Sequence, residues 1–195
     1  MAIHMIEREP RTEANDTRES ILAKEIVETI LRGAQENLRR DGSASPVLFL
    51  RLESGEKGAI ALALPETPSA KAAHFNPMGQ VFQRVGIRIH EALFVSESWY
   101  VSAKKDKGIA IDVRPSQHPD RKEAIVIVGR NAKRTRHTVV IQPFSRDIEL
   151  MPVFEEITIA EFNKRPEDLK SLPPTGLLDY LFPIPLSFGH GSGLN

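Results

Sequence analysis

Cysteine is absent from all 195 residues. Its absence removes disulfide frameworks, thiolate zinc sites, iron–sulfur clusters and cysteine nucleophiles together. A reducing compartment is the simplest setting for such a chain, so a cytoplasmic location is expected. Net charge is missing as well, because 26 Lys and Arg balance 26 Asp and Glu. Dedicated nucleic-acid binders carry a basic excess, and the balance argues against that partner. No run approaches the ~18 apolar residues of a membrane span, so no membrane partner is expected. Glu7 and Glu9 stand where a signal peptide would need an apolar core. Phosphate loops of the Gly-x-Gly-x-x-Gly or Gly-Lys-Ser/Thr type are not found, nor is a Gly-x-Ser-x-Gly elbow. The six histidines show no ligand pairing, and no cofactor is implied.

What remains is ordinary globular patterning. Residues 1–15 are charged and aperiodic and read as an N-terminal arm. Asp16 and Glu19 have capping-box spacing. Ile21, Leu22, Ile26, Val27, Ile30, Leu31, Ala34 and Leu38 then recur at helical intervals, and Gly42 is a fitting stop. Two apolar runs, 47–52 and 59–64, flank the glycine-containing loop 54–58 and predict a hairpin. A second helix is expected over 70–86, kinked or restarted at Asn76-Pro77, with Met78, Val81, Phe82 and Val85 as its buried stripe. Strands follow at 89–102, 123–129 and 135–142, and a further one in 148–158 is broken by Pro152. Ile125-Val126-Ile127-Val128 is apolar on both faces, which predicts a central strand covered on both sides by the other helix, the C-terminal segment or a partner subunit.

The expected fold is therefore α+β: a mostly antiparallel sheet with two main helices, in the order α-β-β-α-β-β-β(-β). A single domain would span 16–165. Residues 166–195 combine five prolines with a dense set of apolar side chains and read as an extended C-terminal arm. Its Leu177, Leu178, Tyr180, Leu181, Phe182, Ile184, Leu186 and Phe188 are too costly to leave in water and must pack on their own domain or on a neighbour.

Three features carry candidate chemistry. Alternation along 89–102 puts Glu97 on the same face as Val95, Trp99 and Val101. A carboxylate there must be paired or protonated, so Glu97 is either an ion-pair partner, with Arg121 the first candidate, or a functional acid. The loop 115–123 adds His118, Asp120 and Glu123. If its strand pairs with 89–102, those three and Glu97 would form an oxygen-rich metal or acid–base cluster. The alternative is a polar turn with Asp120 capping it. Thirdly, Arg130, Lys133, Arg134 and Arg136 crowd one predicted hairpin, where they suit phosphate contacts or a solvated turn.

Ser96-Glu97-Ser98-Trp99, followed by Pro115-Ser116 and Pro119-Asp120-Arg121-Lys122-Glu123-Ala124, resembles uncharacterised bacterial and phage-associated proteins with a similar Ser-Glu-x-Trp and Pro-Asp-Arg-x-Glu-Ala pair. The resemblance covers residues 91–129 and implies that the two segments act as a unit; it implies no activity. The sequence as a whole points to a non-enzymatic interaction or assembly protein, a homo-oligomer or partner complex whose arm 177–188 docks on a neighbour. The alternative is a metal-assisted hydrolase centred on Glu97, His118, Asp120 and Glu123.

Overall fold

A computed structural model describes residues 20–65, 68–101, 117–163 and 177–182. The elements run α1 (Lys24–Asp41), β1 (Val47–Leu52), β2 (Lys57–Ala61), α2 (Pro68–Arg84), β3 (Ile89–Tyr100), β4 (Lys122–Asn131), β5 (Arg136–Arg146), β6 (Pro152–Phe154), β7 (Thr158–Asn163) and a 3-10 helix (Leu177–Leu181). The seven strands form one antiparallel sheet in the order β2-β1-β3-β4-β5, with β6 and β7 both paired to the outer edge of β5. The α+β class and the element order agree with the sequence reading.

Each helix covers a different face. Helix α1 lays Val27, Leu31, Ala34 and Leu38 on Leu93, Val95, Ile125, Ile127, Val140 and Phe144. On the opposite face, Phe75 of α2 and Leu178, Leu181 and Phe182 of the C-terminal segment pack on Leu48, Leu50, Ala92 and Phe94. Strand β4 is apolar on both sides for this reason: Ile125 and Ile127 meet α1, while Val128 joins the second cluster. Both covers come from the chain itself.

Several elements depart from expectation. Helix α1 starts at Lys24, behind an extended Ala23 that makes no side-chain cap, and the Asp16 capping box lies outside the described residues. Ile21 and Leu22 precede the helix because the turn holding them is tied to the sheet: Glu91 accepts bonds from the Ser20 hydroxyl and the Ile21 N–H. Gly42 does end the helix, at φ 72°. Helix α2 continues through Pro77 as one element, since Pro77 and Ala73, the residue whose carbonyl loses its partner, both lie on the exposed side. Its buried stripe is Phe75, Met78 and Phe82; Val81 and Val85 are 52% and 63% exposed. Pro152 opens the short β6 on the sheet edge, a position where no ladder donor is required.

Candidate functional site

Of the four residues proposed for metal or acid–base chemistry, Glu97 lies on β3, Glu123 on β4, and His118 and Asp120 in the turn that leads into β4. Register places Glu97 opposite Ile125 and Trp99 opposite Glu123, so the face assignment from alternation holds. Their side chains are nevertheless engaged elsewhere. Glu97 Oε1 accepts the Ala44 N–H at 3.0 Å, which pins the segment leaving α1 to the sheet. Glu123 Oε2 lies 3.3 Å from Arg146 Nε. His118 Nδ1 accepts the Asp120 N–H at 3.1 Å, so the imidazole, rather than the Asp120 carboxylate, organises that turn. Arg121, the expected partner of Glu97, stacks instead over the Trp99 ring at 4.9 Å from its centroid. Among the described residues no group of three or more His, Asp or Glu side chains is placed to hold a metal ion.

The buried charges lie at the other end of β3. Arg51 of β1 and Glu91 of β3 face each other across the ladder, both buried, with Nη1 3.6 Å from Oε2. Glu91 also accepts from Ser20 Oγ at 2.7 Å and from the Ile21 N–H at 2.9 Å, and Arg136 Nη1 lies 4.0 Å away. Two hydrogen-bond donors and two nearby guanidinium groups around one carboxylate explain how an anion is kept under α1. Glu91 shares the alternating face of Glu97, and the arginine inside the apolar run 47–52 was the sequence signal for its partner.

A second buried pair holds the C-terminal segment. Asp179, in the 3-10 helix, pairs with Arg130 of β4 and has Arg134 Nη2 at 3.3 Å. Burial and the neighbouring Arg134 push the Arg130 guanidinium down to about 10, so it is still a cation at neutral pH and meets the Asp179 carboxylate at full charge. Three of the four cations expected to face solvent or phosphate at 130–136 are thus turned inward, Arg130 and Arg134 to Asp179 and Arg136 to Ser20 and Glu91. The reason is electrostatic: each buried carboxylate needs a cation, and this turn supplies them.

Six residues of the C-terminal arm, 177–182, are described. Leu178, Leu181 and Phe182 fill the core of their own domain and Leu177 packs against it, while Tyr180 is partly exposed. Of the two covers expected for the arm, the buried ones take their own domain. Ile184, Leu186 and Phe188 lie outside the described residues.

An exposed apolar surface lies on the β5–β6 turn, which the sequence reading did not single out. Ile148 is 100% and Leu150 70% exposed, flanked by Met151 and Val153. The turn is well organised: Asp147 Oδ1 accepts the Glu149 and Met151 N–H groups, each at 2.9 Å, and the Asp147 N–H donates to the Met151 carbonyl. Leu150 is held at φ 63°, a conformation that glycine or asparagine adopts more readily. Across the molecule, an apolar groove of about 300 Å³ runs between α1 and β1, lined by Ile30, Gly33, Ala34, Val47, Phe49 and Val95. No described helix is long and apolar enough to cross a membrane. Comparison with protein-family models, curated proteins and solved structures returned no match.

Proposed function

We propose that this chain is a non-enzymatic assembly protein that associates with copies of itself. The observation that carries the reading is the β5–β6 turn, where Ile148 and Leu150 stand in solvent on a backbone fixed by Asp147. An ordered turn that exposes branched aliphatic side chains, with Leu150 in a costly backbone region, is better suited to insertion into a pocket than to solvation. The α1–β1 groove gives such a pocket on the same chain, open because Gly33, Ala34 and Ala44 leave room beside Phe49. Turn and groove lie on opposite sides of α1, so the contact joins different surfaces and builds a head-to-tail ring or filament rather than a two-fold dimer. Four apolar side chains fall short of the ~800 Å² per partner of a standard interface, so a single contact is weak and closure of a ring supplies the remainder. Cytoplasmic residence accords with the absence of cysteine.

Sedimentation velocity over a wide concentration range tests the reading. The wild type is expected to grow into a defined oligomer, and Ile148→Asp with Leu150→Asp to remain monomeric with an unchanged circular dichroism spectrum. A wild type that stays monomeric at the highest concentrations removes self-assembly as the function.

A further inference from the structure

The sheet has an outer strand at each side, β2 at one and β7 at the other, and among the described residues neither has a neighbour beyond it. An outer strand presents a row of backbone N–H and C=O groups, which proteins commonly blunt with proline, bulges or clustered charge. Lys57–Ala61 and Thr158–Asn163 contain no proline and a single charged residue each. Lys57, Gly58, Ala59 and Ala61 are exposed, and a Cβ added at Gly58 would meet nothing within 4 Å. On the other edge Thr158, Ile159 and Glu161 are exposed.

We propose that β7 of one copy pairs with β2 of the next, so that one antiparallel sheet runs through successive copies. The inference rests on self-assembly as the function and specifies how the copies join. Direction permits it. Five successive antiparallel pairings lead from β2 through β1, β3, β4 and β5 to β7, so the two outer strands run in opposite senses. Two copies in the same orientation therefore meet as antiparallel neighbours, and neither has to be turned over. The faces agree as well. Lys57, Ala59 and Ala61 stand opposite Arg51, Phe49 and Val47 on the face that α1 covers, and Ile159 and Glu161 stand opposite Val140 and Thr138 on that same face.

Charge selects the register. The one charged side chain of β2 is a cation and that of β7 an anion. Setting Lys57 opposite Glu161 also sets Gly58 opposite Ala160 and Ala59 opposite Ile159. A slip of two residues keeps the faces but loses the ion pair, and a slip of one reverses the faces. Pairing β2 with a second β2, or β7 with a second β7, brings no opposite charges together. Small side chains leave room for Ile159, since Ala59 and Ala61 lie beside Phe49 and Val47, which line the α1–β1 groove. Strand β2 adjoins that groove and β7 shares β5 with the exposed turn, so strand pairing has the same head-to-tail sense as the insertion of the turn.

The chain has no cysteine of its own, so introduced thiols report only the contact between copies. Full-length Ala59→Cys and Ile159→Cys chains, one of them isotopically labelled, are mixed, oxidised and resolved by intact mass into the mixed disulfide and the two like-with-like dimers. Residues directly opposite in an antiparallel ladder stand about 4.5–5.5 Å apart at Cα, within disulfide range. The mixed disulfide is expected in about tenfold excess over either like dimer, because the ladder raises the effective concentration of the two thiols. A random distribution among the three dimers, or an excess of a like dimer, overturns the proposal. Sedimentation of the wild type separates this result from the underlying reading: an oligomer whose disulfides form at random keeps self-assembly and removes strand pairing, whereas a monomer removes both. Lys57→Glu gives a second reading without thiols. Association should weaken about twofold to fivefold and recover in Lys57→Glu with Glu161→Lys. An oligomer indifferent to Lys57→Glu, with circular dichroism unchanged, overturns the register.

Discussion

Asp179 shows what one side chain can fix. It sits on a five-residue 3-10 helix that has little stability of its own, and it pairs with an arginine whose hold on its proton burial has already weakened. Removing one member of a buried pair leaves the other charge without compensation, so Asp179→Asn is expected to cost about 3–5 kcal/mol, measured by urea unfolding. Gly79 is as restrictive for a different reason. A Cβ there would collide with the Tyr180 carbonyl oxygen and stand 3.1 Å from the Leu181 Cα, both backbone atoms that cannot swing away. Gly79→Ala should therefore destabilise by about 1–3 kcal/mol and raise amide exchange in the 3-10 helix. Glu97 is the contrasting case. Its one hydrogen bond among the described residues runs to a backbone N–H, and a glutamine carbonyl accepts equally well, so Glu97→Gln should shift unfolding by no more than about 1 kcal/mol and show no dependence on added divalent metal. Alternation along β3 was enough to put Glu97 on an apolar face. Its partner was not readable, because Ala44 is a backbone donor 53 positions away and side-chain pairing rules say nothing about it. Glu91, six residues earlier on the same face, carries the deeper burial, and its partners came from three separate segments.

At the scale of elements, periodicity and punctuation were legible and their exceptions were tertiary. The hairpin β1–β2, the long β3 and the doubly apolar β4 follow from apolar runs and turn residues. The start of α1 did not follow, because helical spacing of Ile21 and Leu22 is imitated by a turn that Glu91 holds against the sheet. Pro77 was the second exception. A proline normally interrupts a helix, but here the orphaned carbonyl belongs to Ala73 on the exposed side, where water can take the bond. The helix therefore tolerates the residue at a cost, and Pro77→Ala is expected to stabilise the protein by about 1–3 kcal/mol in thermal unfolding. Met78, Val81, Phe82 and Val85 looked like one stripe, yet the sheet meets α2 through Phe75, Met78 and Phe82 and leaves the two valines outside. Spacing defines a possible face but not the angle at which a helix is laid on its sheet.

For the molecule as a whole, the two helices cover opposite faces of one sheet, and the C-terminal segment completes the second layer. An arm rich in proline and apolar residues read naturally as a surface for a neighbour. The structure shows its described part, residues 177–182, packed on the chain's own core and tied there by a carboxylate that pairs with β4. The most exposed large apolar side chain among the described residues, Ile148, stands on the β5–β6 turn, masked in the sequence by Asp147 and Glu149 among the turn's aliphatic residues. If association runs through that turn, raising ionic strength should leave the oligomer intact, whereas lowering temperature should weaken it, since apolar burial loses driving force on cooling. Static light scattering across salt and temperature reads both trends.

The dependence of the second core on residues 177–182 has a consequence for the order in which the protein is made. Synthesis runs from the N-terminus at about 5–20 residues per second, so β1 to β5 and both helices emerge before the segment that covers Phe75 and Phe94. For that interval the growing chain presents a half-built face with Arg130 awaiting its counter-charge. Residues 177–182 therefore act as a seal, and a message cut short before Asp179 would yield a product marked by its exposed aromatic surface as unfinished.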